Sequence, residues 1–186
     1  MNNPKITVVT VCFNAVKDIE KTILSVINQT YENIEYLVID GGSTDGTVDI
    51  IKKYEDCITK WIGEPDKGIY DAMNKGIKMA TGDRINFMNA GDEFFKSTTL
   101  DEVGRVGLDA DYVVGIAKYP NGRYWIPIKN DFGLKNVCQG GAVNHQTSFI
   151  RKEIFEGDGY NLDYSIVADD IFFVKKVVFQ GCSYKK

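Results

Sequence analysis

Short apolar runs alternate with amphipathic stretches along the first half of the chain. Residues 6–13, 35–39, 58–62 and 84–88 are rich in β-branched and aromatic side chains, which is typical of buried strands. Between them, apolar side chains recur at helical spacing around residues 19–27, 48–54 and 69–80. This order of strands and helices predicts a largely parallel sheet with right-handed crossovers.

The second half of the chain is less regular. Residues 112–116 and 123–128 predict an antiparallel hairpin around a Pro120-Asn121-Gly122 turn. Residues 131–144 are Gly-rich and predict a mobile loop, residues 147–151 a returning strand, and residues 169–179 the last helix. Since 186 residues fit one domain, we expect a single α/β domain with a Rossmann-like, mostly parallel central sheet flanked by helices.

Four acidic or Gly-rich turns follow the strand-like runs or open the helix-like ones. They are residues 40–47 (DGGSTDGT), 64–68 (EPDKG), 89–92 (NAGD) and 168–170 (ADD). Three of them lie where an open α/β sheet has its ligand crevice, beyond the carboxyl ends of strands. Because carboxylates and backbone N–H groups suit a divalent cation and a diphosphate, these turns predict an enzyme that handles a sugar nucleotide.

Composition narrows the class further. The formal net charge of -4 disfavours nonspecific binding to nucleic acid, which requires a basic face. The four cysteines are widely spaced and the chain has one histidine, so we expect reduced thiols rather than a structural zinc site. Residues 1–5 do not resemble a signal peptide, and no apolar run of about 20 residues is present. A cytoplasmic protein is therefore expected, with peripheral contact at the inner face of the membrane left open.

Six segments resemble the motifs of family-2 glycosyltransferases of the bacterial polysaccharide-biosynthesis type. These enzymes have the GT-A nucleotide-diphospho-sugar transferase fold and move a sugar from a nucleotide diphosphate to an acceptor. The segments occur in the family's order, and as a set they are highly specific: residues 8–14, 25–31, 38–47, 66–76, 89–92, and 145–146 with Asp169. The resemblance implies a nucleotide-sugar-binding half, residues 1–92, and an acceptor-side half, residues 93–186.

The resemblance assigns donor contacts to the ends of the first two strands. It implies that Phe13, Asn14 and Asp40 hold the base and ribose, with Asp66 bordering the same pocket. Gly41 departs from the family pattern, which often has a second acid there that contacts the base. Taken alone, residues 40–47 are equally well explained as a polar turn with a helix cap.

The resemblance also implies a metal site in the turn after the fourth strand. There Asp92 is the ligand for Mn²⁺ or Mg²⁺, and Asn89 belongs to the same donor-binding turn; the alternative is an Asx-type turn that closes the strand. Lys75 contacts the donor sugar or phosphate, or is a solvated helix residue. The same two alternatives apply to Lys67 and Asn74.

Asp169 matches the acid that serves as the base in inverting members of the family. Asp170 competes with it, but adjacent helical residues project about 100° apart, so only one of the two is expected to face the acceptor. On local grounds, both acids are equally explained by the dipole of the helix that they open. His145 either binds the diphosphate or acceptor, or is an interior imidazole bonded to backbone.

The expected activity is that of a metal-dependent, inverting hexosyltransferase with a UDP- or GDP-linked donor. The resemblance implies a growing surface saccharide or its lipid carrier as acceptor. One rival is a non-catalytic sugar-nucleotide-binding module, because acids are missing at Gly41, Gly91 and Ala168. The other, a nucleotidyltransferase, requires a Gly-rich basic loop after the first strand, which residues 14–17 lack. Because family members commonly continue past the last helix, we expect incomplete acceptor binding in a chain that stops at Lys186.

Overall fold

The computed structural model describes residues 3–127 and 143–186. Their main feature is one seven-stranded sheet. Its strands are β1 (Ile6–Cys12), β2 (Ile34–Asp40), β3 (Lys60–Gly63), β4 (Arg84–Phe87), β5 (Tyr112–Val114), β8 (Ser148–Arg151) and β9 (Tyr184–Lys185). Two further strands, β6 (Ala117–Lys118) and β7 (Tyr124–Trp125), form a separate antiparallel pair. The helices are α1 (Ile19–Ile27), α2 (Thr47–Lys53), α3 (Ile69–Met79), α4 (Thr99–Val106) and α5 (Ala168–Phe173). A π-helix, Val174–Phe179, follows α5, and short 3-10 turns cover Glu55–Cys57, His145–Thr147 and Lys152–Phe155.

The strands lie in the order β3-β2-β1-β4-β8-β5-β9. The first four are parallel to one another, which confirms the parallel sheet predicted for this half. Strand β8 is antiparallel to both β4 and β5, and β9 is parallel to β5. The carboxyl ends of β1, β2 and β4 therefore meet at one edge of the sheet.

Apolar layers cover both faces of the sheet. One face packs α1, α2 and α4 against alternate strand residues such as Ile6 and Val8, and the other packs α3 and α5 against Val9 and Val11. Every residue of β1 is buried as a result. This two-sided burial is the reason that the strands read as continuous apolar runs rather than alternating ones.

Three features differ from the sequence prediction. Residues 112–114 join the main sheet as β5, and the hairpin is formed instead by β6 and β7 around residues 119–122, so the predicted partner of the second hairpin strand was wrong. The predicted last helix is α-helical only to Phe173 and then continues as the π-helix. Helix α4 was not predicted, since it buries one side chain, Leu100. Most of the predicted loop, residues 131–142, and Ile128 lie outside the described residues.

Candidate active site

The turn after β2 is built around the carboxylate of Asp40, which is 1% exposed. Its Oδ2 accepts the backbone N–H groups of Gly42 (3.0 Å) and Ser43 (2.9 Å), and its Oδ1 accepts the Ser43 hydroxyl at 2.5 Å. These bonds fold the chain sharply at the end of the strand. Asp40 thus lies beneath the turn and sets the shape of its outer surface.

Asn14 ties the end of β1 to the same turn. It adopts φ 47°, in the left-handed region that asparagine tolerates better than most residues. Its N–H donates to Ser43 Oγ at 2.8 Å, and its Oδ1 accepts the N–H of Thr44 at 3.0 Å. The structure therefore brings Asn14 and Asp40 together, as the sequence predicted, through the turn that they share.

An exposed aromatic ring and a carboxylate flank Gly41. Phe13 is 63% exposed, which is unusual for a residue that directly follows a buried strand. A Cβ added at Gly41 would lie 3.4 Å from the Phe13 ring and less than 3.0 Å from Asp66 Oδ2. The absence of a side chain at position 41 allows Asp66 to approach. A ring face and an acceptor beside it suit a flat heterocycle that carries N–H groups.

Lys75 and Asn74 are the two residues of α3 that could contact the sugar donor, and both bond to other residues of the protein. Lys75 Nζ lies 3.0 Å from Glu64 Oε1 and donates to the Pro65 carbonyl at 3.0 Å, beside the turn that carries Asp66. Asn74 donates to the Tyr160 carbonyl and accepts its N–H, both at 2.8 Å. Asn74 therefore clamps a distant loop onto α3.

The turn after β4 holds Asp92 against α1 and the 3-10 turn at His145–Thr147. Gly91 N–H donates to Thr22 Oγ1 at 2.9 Å, and that hydroxyl donates to the Asp92 carbonyl at 2.8 Å. Gln146 Nε2 donates to Asp92 Oδ2 at 3.0 Å. A neutral amide therefore orients the Asp92 carboxylate.

The side chains around Asp92 suit a metal ion that binds together with the phosphates of a substrate. Within residues 3–127 and 143–186, no group of three or more His, Cys, Asp or Glu side chains is arranged to hold a metal ion. Mg²⁺ and related ions bind through one or two carboxylates when substrate phosphates and water supply the remaining ligands. Asp92 fits this mode of binding, whereas the described residues do not form a preformed metal cage.

The edge of the sheet is strongly acidic. Burial raises the pKa of the Cys12 thiol, and the surrounding carboxylates of Asp40, Asp45 and Asp66 raise it further. A diphosphate that approaches this edge meets negative charge, so a bridging cation favours its binding.

Asp169 lies in the first turn of α5 and is 7% exposed. Its Oδ1 lies 2.6 Å from the Tyr70 hydroxyl, and its Oδ2 lies 2.7 Å from His145 Nδ1. Burial alone raises the pKa of Asp169, but the hydrogen bonds from His145 and Tyr70 outweigh burial and hold the pKa below its ordinary value. Asp170 faces elsewhere and accepts the N–H of Val143 at 3.1 Å, which is the divergence expected of adjacent helical residues.

His145 connects the two sides of the edge. Besides its contact with Asp169, its Nε2 lies 2.8 Å from Asn89 Nδ2. Both ring nitrogens therefore bond to side chains, whereas the sequence analysis expected backbone partners for an interior imidazole. The contacts of Tyr70 and Gln146 were also not predicted, because no local pattern signals partners that lie 99 and 54 residues away along the chain.

The predicted site residues form two adjacent groups at one edge of the sheet. Phe13, Asn14, Asp40 and Asp66 surround the turn after β2, and Asn89, Asp92 and Asp169 surround the turn after β4. The Ala90 N–H donates to the Val11 carbonyl at 3.0 Å, so the second group begins beside the end of β1. Two strand spacings, about 10 Å, separate the ends of β2 and β4.

The mostly parallel sheet with its flanking helices has the GT-A fold, which the solved structures described below share. The sequence profile of Glycosyl transferase family 2 matches residues 7–167, and the chain belongs to that family. An uncharacterized glycosyltransferase of Mycobacterium tuberculosis is 34% identical over 186 residues, covering 92% of this chain and 68% of the relative. A PGL/p-HBAD biosynthesis glycosyltransferase of Mycobacterium bovis is 31% identical, covering 94% of this chain and 70% of the relative.

Solved structures show the same fold at low sequence identity. The mannosyltransferase PcManGT of Pyrobaculum calidifontis, solved with GDP-Man and Mn²⁺, has a TM-score of 0.78 at 22% identity. S. aureus TarS 1-349, solved with UDP, has a TM-score of 0.75 at 21% identity. The alignments cover 100% and 92% of this chain, which spans 55% and 54% of those chains. Among the residues described for this chain, no helix has the length and apolar character needed to cross a bilayer.

Proposed function

We propose that this chain is a metal-dependent, inverting glycosyltransferase that moves a hexose from a UDP- or GDP-linked donor to a saccharide or lipid-linked acceptor. The observation that carries the proposal is the hydrogen-bonded link from Asn89 through His145 to Asp169. It joins the turn of the proposed cation ligand, Asp92, to the proposed base. In this assignment residues 1–92 bind the donor and residues 93–186 serve the acceptor.

Phe13 and Asp66 are the proposed contacts for the nucleobase. The exposed ring of Phe13 stacks on the base, and the Asp66 carboxylate accepts an N–H group, which uracil and guanine both carry. Asn14 and Asp40 hold the turn against which the ribose lies. Lys75, paired with Glu64, borders the phosphates or the sugar.

Asp92 is the proposed protein ligand for Mn²⁺ or Mg²⁺, with Asn89 in the same turn. A dication bound there with the donor supplies Lewis-acid stabilisation of the departing diphosphate. The Mn²⁺ in the PcManGT structure supports a divalent ion for this fold. A one-carboxylate site implies weak metal binding before the donor is present.

Asp169 is the proposed general base. It accepts the proton of the acceptor hydroxyl while that oxygen bonds to the anomeric carbon, and the bond from that carbon to the diphosphate oxygen breaks. Because the oxygen enters opposite the leaving diphosphate, the configuration inverts. We propose that this reaction contributes to the assembly of a surface polysaccharide on the cytoplasmic face of the membrane, as the resemblance implies.

The central test pairs turnover with donor binding. Asp169→Asn is expected to bind UDP- or GDP-sugar like the parent in calorimetry, while transfer falls by about 10²–10⁴-fold because the base is lost. Unchanged transfer would remove Asp169 from the role of base. Donor binding by the parent without transfer or hydrolysis would favour the non-catalytic sugar-nucleotide-binding module.

The metal assignment has its own test. Stabilisation of the parent by nucleoside diphosphate and Mn²⁺ should rise with ligand concentration, as mass action requires. Asp92→Ala is expected to abolish the Mn²⁺-dependent part of this thermal shift and keep the part due to nucleotide alone. A full Mn²⁺ effect in the variant would exclude Asp92 as the ligand.

A further inference from the structure

The imidazole of His145 bridges two elements that are far apart in sequence. It belongs to the 3-10 turn before β8, its Nδ1 lies 2.7 Å from Asp169 Oδ2 on α5, and its Nε2 lies 2.8 Å from Asn89 Nδ2 after β4. The ring is mostly enclosed, with 15% of the side chain exposed. It is also the one histidine of the chain.

The partners fix which nitrogen carries the proton. An ionised carboxylate only accepts hydrogen bonds, so the 2.7 Å contact requires Nδ1 to donate to Asp169. In the neutral ring Nε2 is then an acceptor, and the Asn89 amide donates to it. This tautomer leaves Asn89 Oδ1 buried without a hydrogen-bond partner among the described residues.

The surroundings of Asp169 explain why the hydrogen bond from His145 Nδ1 matters for the ionisation of this carboxylate. Within the described residues, Tyr112 and Tyr160 are buried near it, and Tyr70, His145 and the neighbouring Asp170 are further titratable groups around it. Burial disfavours an ionised carboxylate at this position. Tyr70 and His145 each donate to one oxygen and offset this effect.

We propose that His145 is a positioning residue for the base, acting through its Nδ1–H to orient Asp169 Oδ2 and to keep that carboxylate ionised. This inference rests on the proposed function, in which Asp169 accepts the acceptor proton. Asn89 fixes the ring from the opposite side. The turn of the proposed cation ligand and the base are therefore held at a constant separation.

Two near-isosteric variants separate the two bonds of the ring. In His145→Asn the amide nitrogen occupies the place of Nδ1 and keeps the bond to Asp169. In His145→Gln the amide oxygen occupies the place of Nε2 and keeps only the bond that Asn89 donates. We expect His145→Asn to retain transfer within about threefold of the parent, and His145→Gln and His145→Ala to lose about 100-fold. Donor affinity, measured by calorimetry, should stay at the parental value in all three.

The pH profile is a readout that a merely structural role would not move. The base must be ionised, so the rate falls on the acid side as Asp169 takes up a proton. Loss of the Nδ1–H bond raises the pKa of Asp169, and the acid limb of kcat/KM is expected to shift to higher pH in His145→Ala. It should stay in place in His145→Asn.

A third readout is independent of activity. Because the chain has one histidine, ¹⁵N-histidine labelling of the untagged protein gives a single imidazole whose NMR shifts report its tautomer. The Nδ1–H form is expected in the parent, and Asp169→Asn should change the shifts of Nδ1.

The outcomes are distinguishable from failure of the proposed function. No donor binding by the parent, or donor binding without transfer, would overturn the proposed function itself. Unchanged transfer in Asp169→Asn would remove Asp169 from the role of base and the role of His145 with it. Loss of transfer in Asp169→Asn with full transfer in His145→Ala would overturn only the role of His145. An Nε2–H tautomer in the parent, or a His145→Asn variant as slow as His145→Gln, would overturn it as well.

Discussion

At the scale of single residues, the donor side of the site depends on a missing side chain. Gly41 occupies the position where the resemblance implies a second acid, and the Asp66 carboxylate reaches into the space that a Cβ would take. In the proposed site, Asp66 from the turn after β3 replaces the carboxylate that the motif lacks at position 41. Local sequence could not show this, because the two residues lie on different turns.

Gly41→Ala is expected to weaken donor binding by about tenfold, since the new Cβ lies less than 3.0 Å from Asp66 Oδ2 and must displace it. Calorimetric titration with UDP- and GDP-sugars measures the effect. Gly115→Ala is a matched control, because its Cβ would meet Thr147 at an ordinary 3.7 Å. Equal affinities in both variants would contradict the role given to Asp66.

Tyr70→Phe removes the hydrogen bond that the Tyr70 hydroxyl donates to Asp169, the proposed base. With that donor gone, the pKa of Asp169 rises from its lowered value, so the acid limb of kcat/KM is expected to move to higher pH. The pH profile of initial rates measures this shift, and the melting temperature checks a stability loss of about 1 kcal/mol. A limb that stays in place or moves to lower pH would show that Tyr70 does not tune the base.

At the scale of elements, α3 approaches the sheet at a residue without a side chain. A Cβ at Gly76 would lie less than 3.0 Å from Val9 Cγ1, so the helix packs directly on the centre of β1. This contact positions Tyr70 at the start of α3, which donates to Asp169, and Asn74 in its middle, which clamps Tyr160. The packing of one helix therefore supports the proposed base.

Gly76→Ala is expected to lower the free energy of unfolding by about 1–2 kcal/mol. Overpacking costs about 1–3 kcal/mol, and the better helix propensity of alanine offsets up to about 1 kcal/mol. Urea unfolding measures the change, with an unaltered slope. Adding Val9→Ala should recover part of the loss as a favourable coupling; strict additivity would exclude the clash as the cause.

The sequence predicted the elements with strong local signals and missed those with weak ones. Strands β1, β2 and β4 were placed within one residue at each end, because burial on both faces makes them continuous apolar runs. Helix α4 escaped because Leu100 is its one buried side chain and Gly104 lies in its interior. The hairpin was displaced because residues 112–114 carry the same β-branched signal whether they pair with a hairpin partner or with β8.

The sequence indicated candidate residues for the site but not their hydrogen-bond partners. Strand-end motifs predicted Asp40 and Asp92 at one edge, where the ends of parallel strands meet, and the resemblance added Asp169. The partners of Asp92 and Asp169, which are Gln146, His145 and Tyr70, follow from tertiary contacts that leave no periodic trace in one sequence. Periodicity and turn chemistry therefore identify candidates, whereas the hydrogen bonds decide which of them is buried, oriented or exposed.

At the scale of the whole molecule, stability is expected to depend on a carboxylate remote from the candidate site. Glu35 is buried near the start of β2, where it accepts bonds from Thr7 Oγ1 (2.6 Å), Thr81 N–H (2.7 Å) and Thr81 Oγ1 (2.6 Å). Burial alone raises the pKa of Glu35, but these bonds and the charge of Lys5 outweigh burial and lower it.

The free energy of unfolding is expected to fall as the pH drops below 4.5, the ordinary pKa of this glutamate. A group with a lowered folded-state pKa contributes fully above its unfolded pKa and loses that contribution as the pH falls through the folded value. Chemical denaturation between neutral pH and pH 3 measures the slope. Glu35→Gln should be less stable at neutral pH and show a shallower decline; an identical slope would refute the contribution.

The antiparallel pairing of β4 with β8 has a mechanical consequence. Through it, main-chain hydrogen bonds cross between the two halves of the molecule, and the strands on both sides belong to one continuous sheet. Separating the two halves would break that ladder of hydrogen bonds, so we expect movement during substrate binding and product release to involve turns at the edge of the sheet.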